Sequence, residues 1–226
     1  NNRNRQEIFR MSSDVLDSKS MVPDHGGVAA DDNAFSFFWR FLNNPMKIGA
    51  LRPSSQKLCR ATLEAVDLKR RRNIVELGPG SGVITRHILS ALKKEDRFFA
   101  VEIDGAFYRQ LRVRFPETAV FHDSAENIPF LLERQKMRKM DAVISGLPWT
   151  LFPDRLSRDI LRKVSENMSE DGVFVTLCYW HAQYLPTGLR LKRLLQDYFG
   201  QVEMTPTVWS NVPPIFLFRC GKSTVR

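Results

Sequence analysis

Cysteine is scarce in this chain of 226 residues: Cys59, Cys178 and Cys220 stand far apart. No Cys-x-x-Cys pair and no Cys/His cluster occurs. That argues against a disulfide framework and a structural zinc, and predicts a reducing, cytosolic compartment. No apolar run approaches the roughly 18 residues that a membrane-spanning helix needs. Residues 1–30 carry no apolar stretch of the secretory-leader kind. Internal repeats and low-complexity segments are also missing. Any contact with a membrane is therefore expected to be peripheral and on the cytoplasmic side.

What is present describes a folded chain. Hydrophobic residues make up 43% and charged residues 26%, enough apolar surface for a real core. The length suits one ordinary domain with a short appendage. Thirty-four Lys and Arg against 25 Asp and Glu leave a formal charge of +9. Such a surplus suggests an anionic partner: nucleic acid, an anionic membrane surface or a phosphate-bearing substrate. A basic soluble protein without such a partner is the plain alternative.

Residues 1–31 are polar and read as a loosely docked arm. The character changes at Asp32. On a helical wheel Phe35, Phe37, Phe38, Trp39, Phe41 and Leu42 fill one broad sector, and Ser36, Arg40, Asn43 and Asn44 the other. Pro45 ends or kinks that helix, and Pro53-Ser54-Ser55 begins a second one running to about Val66. Residues 32–68 are read as membrane-interaction helices and 69–226 as the catalytic domain. From Ile74 onward strands and helices alternate, with strands at 74–77, 98–103, 119–122, 141–144 and 173–179. Helices are expected at 83–92, 106–115, 154–168 and 189–198, with a basic helical segment reaching about Lys139. Residues 201–209 and 215–219 read as a closing pair of strands. This order predicts an α/β fold: a doubly wound, Rossmann-like, mostly parallel sheet with one antiparallel C-terminal strand.

The first strand ends in Glu76-Leu77-Gly78-Pro79-Gly80-Ser81-Gly82. The glycines permit a tight turn and close approach of a ligand. The spacing differs from the dinucleotide pattern, and a carboxylate precedes it. Glu76 suits a ligand ammonium better than a pyrophosphate. Glu102 closes the second strand, where a doubly wound sheet places the carboxylate for ribose hydroxyls. Asp123 follows the third strand, within reach of an adenine amino group. Ile103 and Ser124 neighbour these two and are assigned to the same site. Ammonium, ribose and adenine together describe S-adenosylmethionine, whose product is S-adenosylhomocysteine; no metal is called for. The pattern over residues 73–180 resembles the class I methyltransferases.

The fourth strand ends in Ser145-Gly146-Leu147-Pro148-Trp149. Many amino-group methyltransferases carry an Asn-Pro-Pro-aromatic motif here. Ser145 occupies the Asn position, and is assigned to both cofactor and amine. A flexible aliphatic amine needs only a hydroxyl and a carbonyl at this edge. Trp149 could stack on a base, face an alkylammonium through a cation–π contact, or simply pack in the core.

A wider set of motifs joins these: Phe38-Trp39-x-Phe41-Leu42-x-Asn44-Pro45-x-Lys47-x-Gly49-Ala50, Pro53-Ser54-Ser55, Tyr179 after the fifth strand, and Trp209-Ser210-Asn211-Val212-Pro213-Pro214. Together they resemble the soluble bacterial phospholipid N-methyltransferases, from Phe35 to Arg219. The resemblance implies methylation of phosphatidylethanolamine, up to three times and towards phosphatidylcholine, at the cytoplasmic face of the inner membrane. It places Trp39, Lys47, Ser54, Ser55, Leu147, Pro148, Tyr179 and Asn211 about the substrate. Leu177-Cys178-Tyr179-Trp180-His181 and Ile215 depart from the usual pattern beside the acceptor pocket.

The residues themselves agree with a lipid surface. The aromatic face at 35–42 can lie in the membrane interface, flanked by Arg40, Lys47 and Arg52, each worth about 1 kcal/mol near anionic lipid. Packing of that face on the domain is the alternative. A protonated amine has no lone pair, so Tyr179, His181 and the Ser145–Gly146 edge are candidates to take its proton or orient it. Arg190, Lys192 and Arg193 are candidate phosphate donors. The rival readings are an RNA adenine N6-dimethyltransferase, a methyltransferase of another amino lipid, and a membrane-bound module that keeps the fold for binding alone. No nucleic acid and no obligate protein partner is expected.

Overall fold

The computed structural model describes residues 53–222. The polar arm, the aromatic helix with Trp39, and Arg40, Lys47 and Arg52 lie outside the described residues. The same holds for the side chains of Ser54 and Ser55.

In chain order the elements are α1 (Pro53–Ala65), β1 (Asn73–Leu77), α2 (Val83–Ala91), β2 (Arg97–Glu102), α3 (Gly105–Arg114), β3 (Ala119–His122), α4 (Ile128–Arg134) and β4 (Met140–Ser145). They continue with α5 (Asp154–Asn167), β5 (Met168–Tyr179), α6 (Pro186–Tyr198), β6 (Gln201–Met204) and β7 (Ile215–Gly221). The strands form one seven-stranded sheet in the order β3-β2-β1-β4-β5-β7-β6. All neighbours are parallel except β7, which runs antiparallel to both β5 and β6. The expected mostly parallel sheet with one antiparallel C-terminal strand is therefore present. The chain order reverses between β1 and β4, so the open crevice of the fold lies at their carboxyl ends.

Side chains alternate across each strand, and this divides the core into two layers. Val75 and Leu77 of β1, Val143 of β4, Phe174 and Cys178 of β5, and Phe216 and Phe218 of β7 face α4, α5 and α6. Ile74, Ala142, Ile144, Val173, Val175, Ile215 and Leu217 face the opposite way, towards Leu58 and Ala65 of α1 and Ile88 of α2. The helix α1 thus belongs to the packed unit of the sheet, and a boundary at 68/69 would cut through one buried cluster.

Local departures from expectation have plain causes. The basic segment stops being helical at Arg134, because Lys136 takes a left-handed φ of 51° and turns the chain into β4. The strand expected at 201–209 ends at Met204; Pro206 cannot donate to the ladder, and only a single bridge, Val208 to Ile215, resumes it. Two basic runs act at the amino-terminal edge of the strands, away from the crevice. Arg71, 8% exposed, donates to the carbonyls of Val66 and Asp171. Arg72 pairs with Glu95 and Asp96, and Arg134 lies over the Phe121 ring.

The turn into α2 depends on Gly82. It holds φ at +76°, and a Cβ there would come within 2.7 Å of both Leu111 and Phe115. Gly82→Ala is therefore expected to cost about 2–4 kcal/mol of stability; urea denaturation of variant and parent measures it.

Candidate active site at the carboxyl edge of the sheet

The ends of β1 and β4 lie side by side, with Leu77 opposite Ser145. A cavity of about 330 Å³ opens there. Its floor is the glycine turn after β1, its walls are the segments after β4 and β5, and its far side is the 211–215 approach to β7.

Glu76 is 2% exposed and accepts a hydrogen bond from Thr85 Oγ1 at 2.7 Å. Burial pushes its carboxyl up to about 8; the nearby Glu102 adds to the rise, and the Thr85 hydroxyl opposes it. A buried acid of this kind favours a cationic partner, because a cation restores the charge that burial suppresses. Thr85 was not singled out from sequence. Its signal is a threonine in the first turn of the helix that follows a buried acid.

Glu102 is 1% exposed. One oxygen accepts from the Gly80 amide and the other from the Asp104 amide, each at 2.9 Å. Its pKa is raised, mainly by burial, against the pull of those two N–H donors. Glu102 therefore holds the glycine turn against the end of β2, and each oxygen keeps further acceptor capacity beyond its one amide bond. Gly78 and Gly80 both adopt positive φ, 69° and 55°, so the turn presents backbone instead of side chains.

Beyond β2, Ile103 is exposed and its carbonyl accepts from His122. Asp123 Oδ1 accepts from the Ser124 amide and from Asn127 Nδ2 at 2.6 Å. Ser124 caps the short turn after it by accepting from Glu126 N. Both side chains thus have local structural duties at the edge where sequence places the adenine.

Ser145 departs from its expected role. It shares the face of Val143, which Trp149 covers, and it is fully buried. Its hydroxyl accepts from the Trp149 indole at 3.0 Å and from the Leu147 amide at 3.3 Å, and its carbonyl accepts from Thr176. The hydroxyl fixes the tryptophan and does not line the cavity; Gly146, Leu147 and Pro148 do. Trp149 is itself 2% exposed, with edge contacts to Phe152 and Phe174.

Tyr179 lies on the cavity wall, and burial pushes its phenol up to about 12. At neutral pH it remains protonated. His181 is exposed, outside the wall, with its ring stacked on Tyr179 at 5.6 Å. Arg190 donates to the carbonyls of Phe152 at 2.8 Å and Trp149 at 3.3 Å, bracing α6 against the 149–152 segment. Lys192 and Arg193 are exposed on α6. The cavity wall contains no Lys, Arg or His among the described residues. Asn211 does line it, and its Oδ1 is buried without a hydrogen-bond partner. Cys59 and Cys178 also reach the wall; burial raises both thiols to about 12, so they are inert there. Among the described residues no group of His, Cys, Asp and Glu is placed to hold a metal ion.

No protein-family model matches the chain. Solved structures share its fold. A precorrin-6y C5,15-methyltransferase of Geobacter metallireducens GS-15 superposes with a TM-score of 0.58 at 17% identity, over 85% of this chain and 96% of that one. A magnesium protoporphyrin IX methyltransferase of Synechocystis PCC 6803 with bound S-adenosylmethionine gives a TM-score of 0.58 at 10% identity, over 85% and 93%. The sheet order and these likenesses thus define the fold of the class I methyltransferases. The chain is also 34% identical over 191 residues to an ornithine lipid N-methyltransferase of Singulisphaera acidiphila, covering 82% of this chain and 94% of that enzyme. It belongs to that family, the class I lipid N-methyltransferases. A shorter match, 32% over 74 residues, links 33% of the chain to 27% of a ribosomal RNA small subunit methyltransferase A of Chlorobium phaeobacteroides.

The residues present fit the cofactor: a buried acid at β1 for a cation, the backbone of Gly78 at the cavity floor, and a second buried carboxylate at the end of β2 that holds the glycine turn. In the unfolded chain a glutamate ionises near its ordinary value of about 4.3, whereas folded Glu76 stays protonated to about 8. The stability it contributes is present below the unfolded value and lost as pH rises through the folded one. Glu76→Gln is therefore expected to stabilise the ligand-free protein at pH 7 by about 2–3 kcal/mol, while weakening cofactor binding. Thermal melts with and without S-adenosylmethionine measure both effects. Glu102→Ala is expected to lower cofactor affinity about 100-fold, read by calorimetric titration.

Proposed function

We propose that this chain methylates the primary amine of an amino lipid at the membrane surface, on the cytoplasmic face. The observation that carries this reading is the cavity wall. It is largely apolar, has no basic side chain among the described residues, and includes both the acid Glu76 and one residue with an orphaned buried acceptor, Asn211 Oδ1. Such a wall suits an alkylamine and does not suit a phosphate. An orphaned buried acceptor costs about 1–3 kcal/mol, which an incoming N–H offsets. The head-group anion is then left to the exposed basic residues outside, Lys192 and Arg193. Arg190 Nη2 donates to the Trp149 and Phe152 carbonyls, while its Nε is buried without a partner.

S-adenosylmethionine supplies an electrophilic methyl group on a sulfonium. The chain's part is alignment: Asn211 and Tyr179 orient the amine, and Leu147, Pro148 and Ile215 exclude water around it. A phenol raised to about 12 is no base at neutral pH, and His181 stands outside the wall, so the amine enters already deprotonated by solvent. The resemblance read from sequence supports phosphatidylethanolamine. The relative from Singulisphaera supports ornithine lipid. Both offer a primary alkylamine a few bonds from an anion. An apolar amine pocket without basic residues, and Ser145 in place of Asn, speak against an RNA base.

Purified chain with labelled S-adenosylmethionine is expected to label phosphatidylethanolamine or ornithine lipid in detergent micelles, and no ribosomal RNA; label in RNA alone sinks this reading. Asn211→Ala is expected to raise the KM for the lipid about tenfold with cofactor affinity unchanged. An unchanged KM would remove Asn211 from the amine site.

A further inference from the structure

Among the described residues ten large hydrophobic side chains are exposed, and six of them, Leu151, Tyr184, Leu185, Leu189, Trp209 and Val212, lie within three residues of a residue that lines this cavity or line it themselves. Their contiguity is built by named contacts. Trp180 lies 5.4 Å from the rings of both Tyr184 and Trp209, joining the segment after β5 to the approach to β7. Leu185 precedes α6 and Leu189 follows one turn later, its amide bonded to the Leu185 carbonyl. The bonds from Arg190 to the Phe152 and Trp149 carbonyls bring α6 against the segment that carries Leu151. Val212 is 97% exposed and yet lines the cavity.

We infer that this rim is the surface that docks on an anionic bilayer, so that the cavity opens directly into the lipid interface. The inference rests on the amino-lipid reading above and adds the docking surface to it. Three features favour a bilayer over a second polypeptide. The rim residues flank the segments that line the cavity, where a protein partner would block access. Its aromatic members, Trp209 and Tyr184, both in ring contact with the half-buried Trp180, are of the amphipathic type that settles at membrane interfaces. Lys192 and Arg193 lie three and four residues beyond Leu189, on the same exposed side of α6, so cationic charge borders the apolar ring. The buried side of that helix is taken by Leu191, Leu194 and Leu195.

The test is flotation of the full chain with phosphatidylcholine vesicles carrying phosphatidylglycerol. The parent is compared with a triple variant, Leu185→Ser, Leu189→Ser and Trp209→Ser. None of the three lines the cavity, and a serine at the position preceding α6 is a favourable cap. Bound protein is expected to fall about tenfold or more, while cofactor affinity and methyl transfer to lipid in detergent micelles persist. Equal flotation of variant and parent overturns the inference, as does a parent that binds no vesicles. So does a variant that changes only the oligomeric state, which would assign the rim to a second copy. Micellar methyl transfer is read separately: its absence, with rim-dependent flotation intact, removes the amino-lipid reading and leaves the docking surface standing.

Discussion

The site depends on two acids buried at adjacent strand ends. Glu76 and Glu102 stand at the carboxyl edges of β1 and β2, each almost fully out of water. Both are raised by desolvation, and the charge on Glu102 adds to the rise of Glu76. Hydrophobic layers on both faces of the sheet hold them there. Glu102 is occupied by the amides of Gly80 and Asp104, which sets the shape of the glycine turn. Glu76 has one hydroxyl partner, Thr85, and a suppressed charge. The protein thus keeps an unfavourable group in place that a cationic ligand relieves, the usual cost of a preformed site.

Around that pair, polar groups divide into those that build the site and those that meet ligands. Ser145, Asp123, Ser124 and Arg190 all have internal partners: an indole, an amide side chain, a turn amide and two carbonyls. They shape the walls. Asn211 differs in lining the cavity with a buried oxygen that has no partner among the described residues; Arg190 Nε is likewise unpartnered but does not line it. The cavity lining combines a buried acid, Glu76, and an orphaned acceptor, Asn211, with mostly apolar residues.

The positive charge that composition makes conspicuous is spent in two ways. Arg71 and Arg72 close the amino-terminal edge of the sheet through carbonyls and ion pairs. Lys192 and Arg193 remain exposed beside an apolar rim. The cavity wall takes none of the charge. Net charge therefore describes the exterior of this protein and says little about the chemistry within it.

The succession of strands and helices, the antiparallel last strand and the position of the glycine turn were legible in sequence, because apolar runs bounded by turn residues and glycines at a strand end are local signals. So were Glu76 and Glu102, since a strand end is a fixed address in this fold. Which way a strand-end side chain points, and what else meets it, depends on contacts between segments far apart in the chain. Ser145 faces Trp149 and not the cavity because alternation along β4 sets its side. Leu58 reaches the core only because α1 folds back on β7 and α2. The rim of Leu151, Tyr184, Leu185, Leu189, Trp209 and Val212 draws on three separate segments, and no sequence window contains it. Sequence alone determined the class of fold and the strand ends at which its acids stand; tertiary packing decided which polar atoms were left unpartnered, because satisfaction of a buried group is settled only when its neighbours arrive.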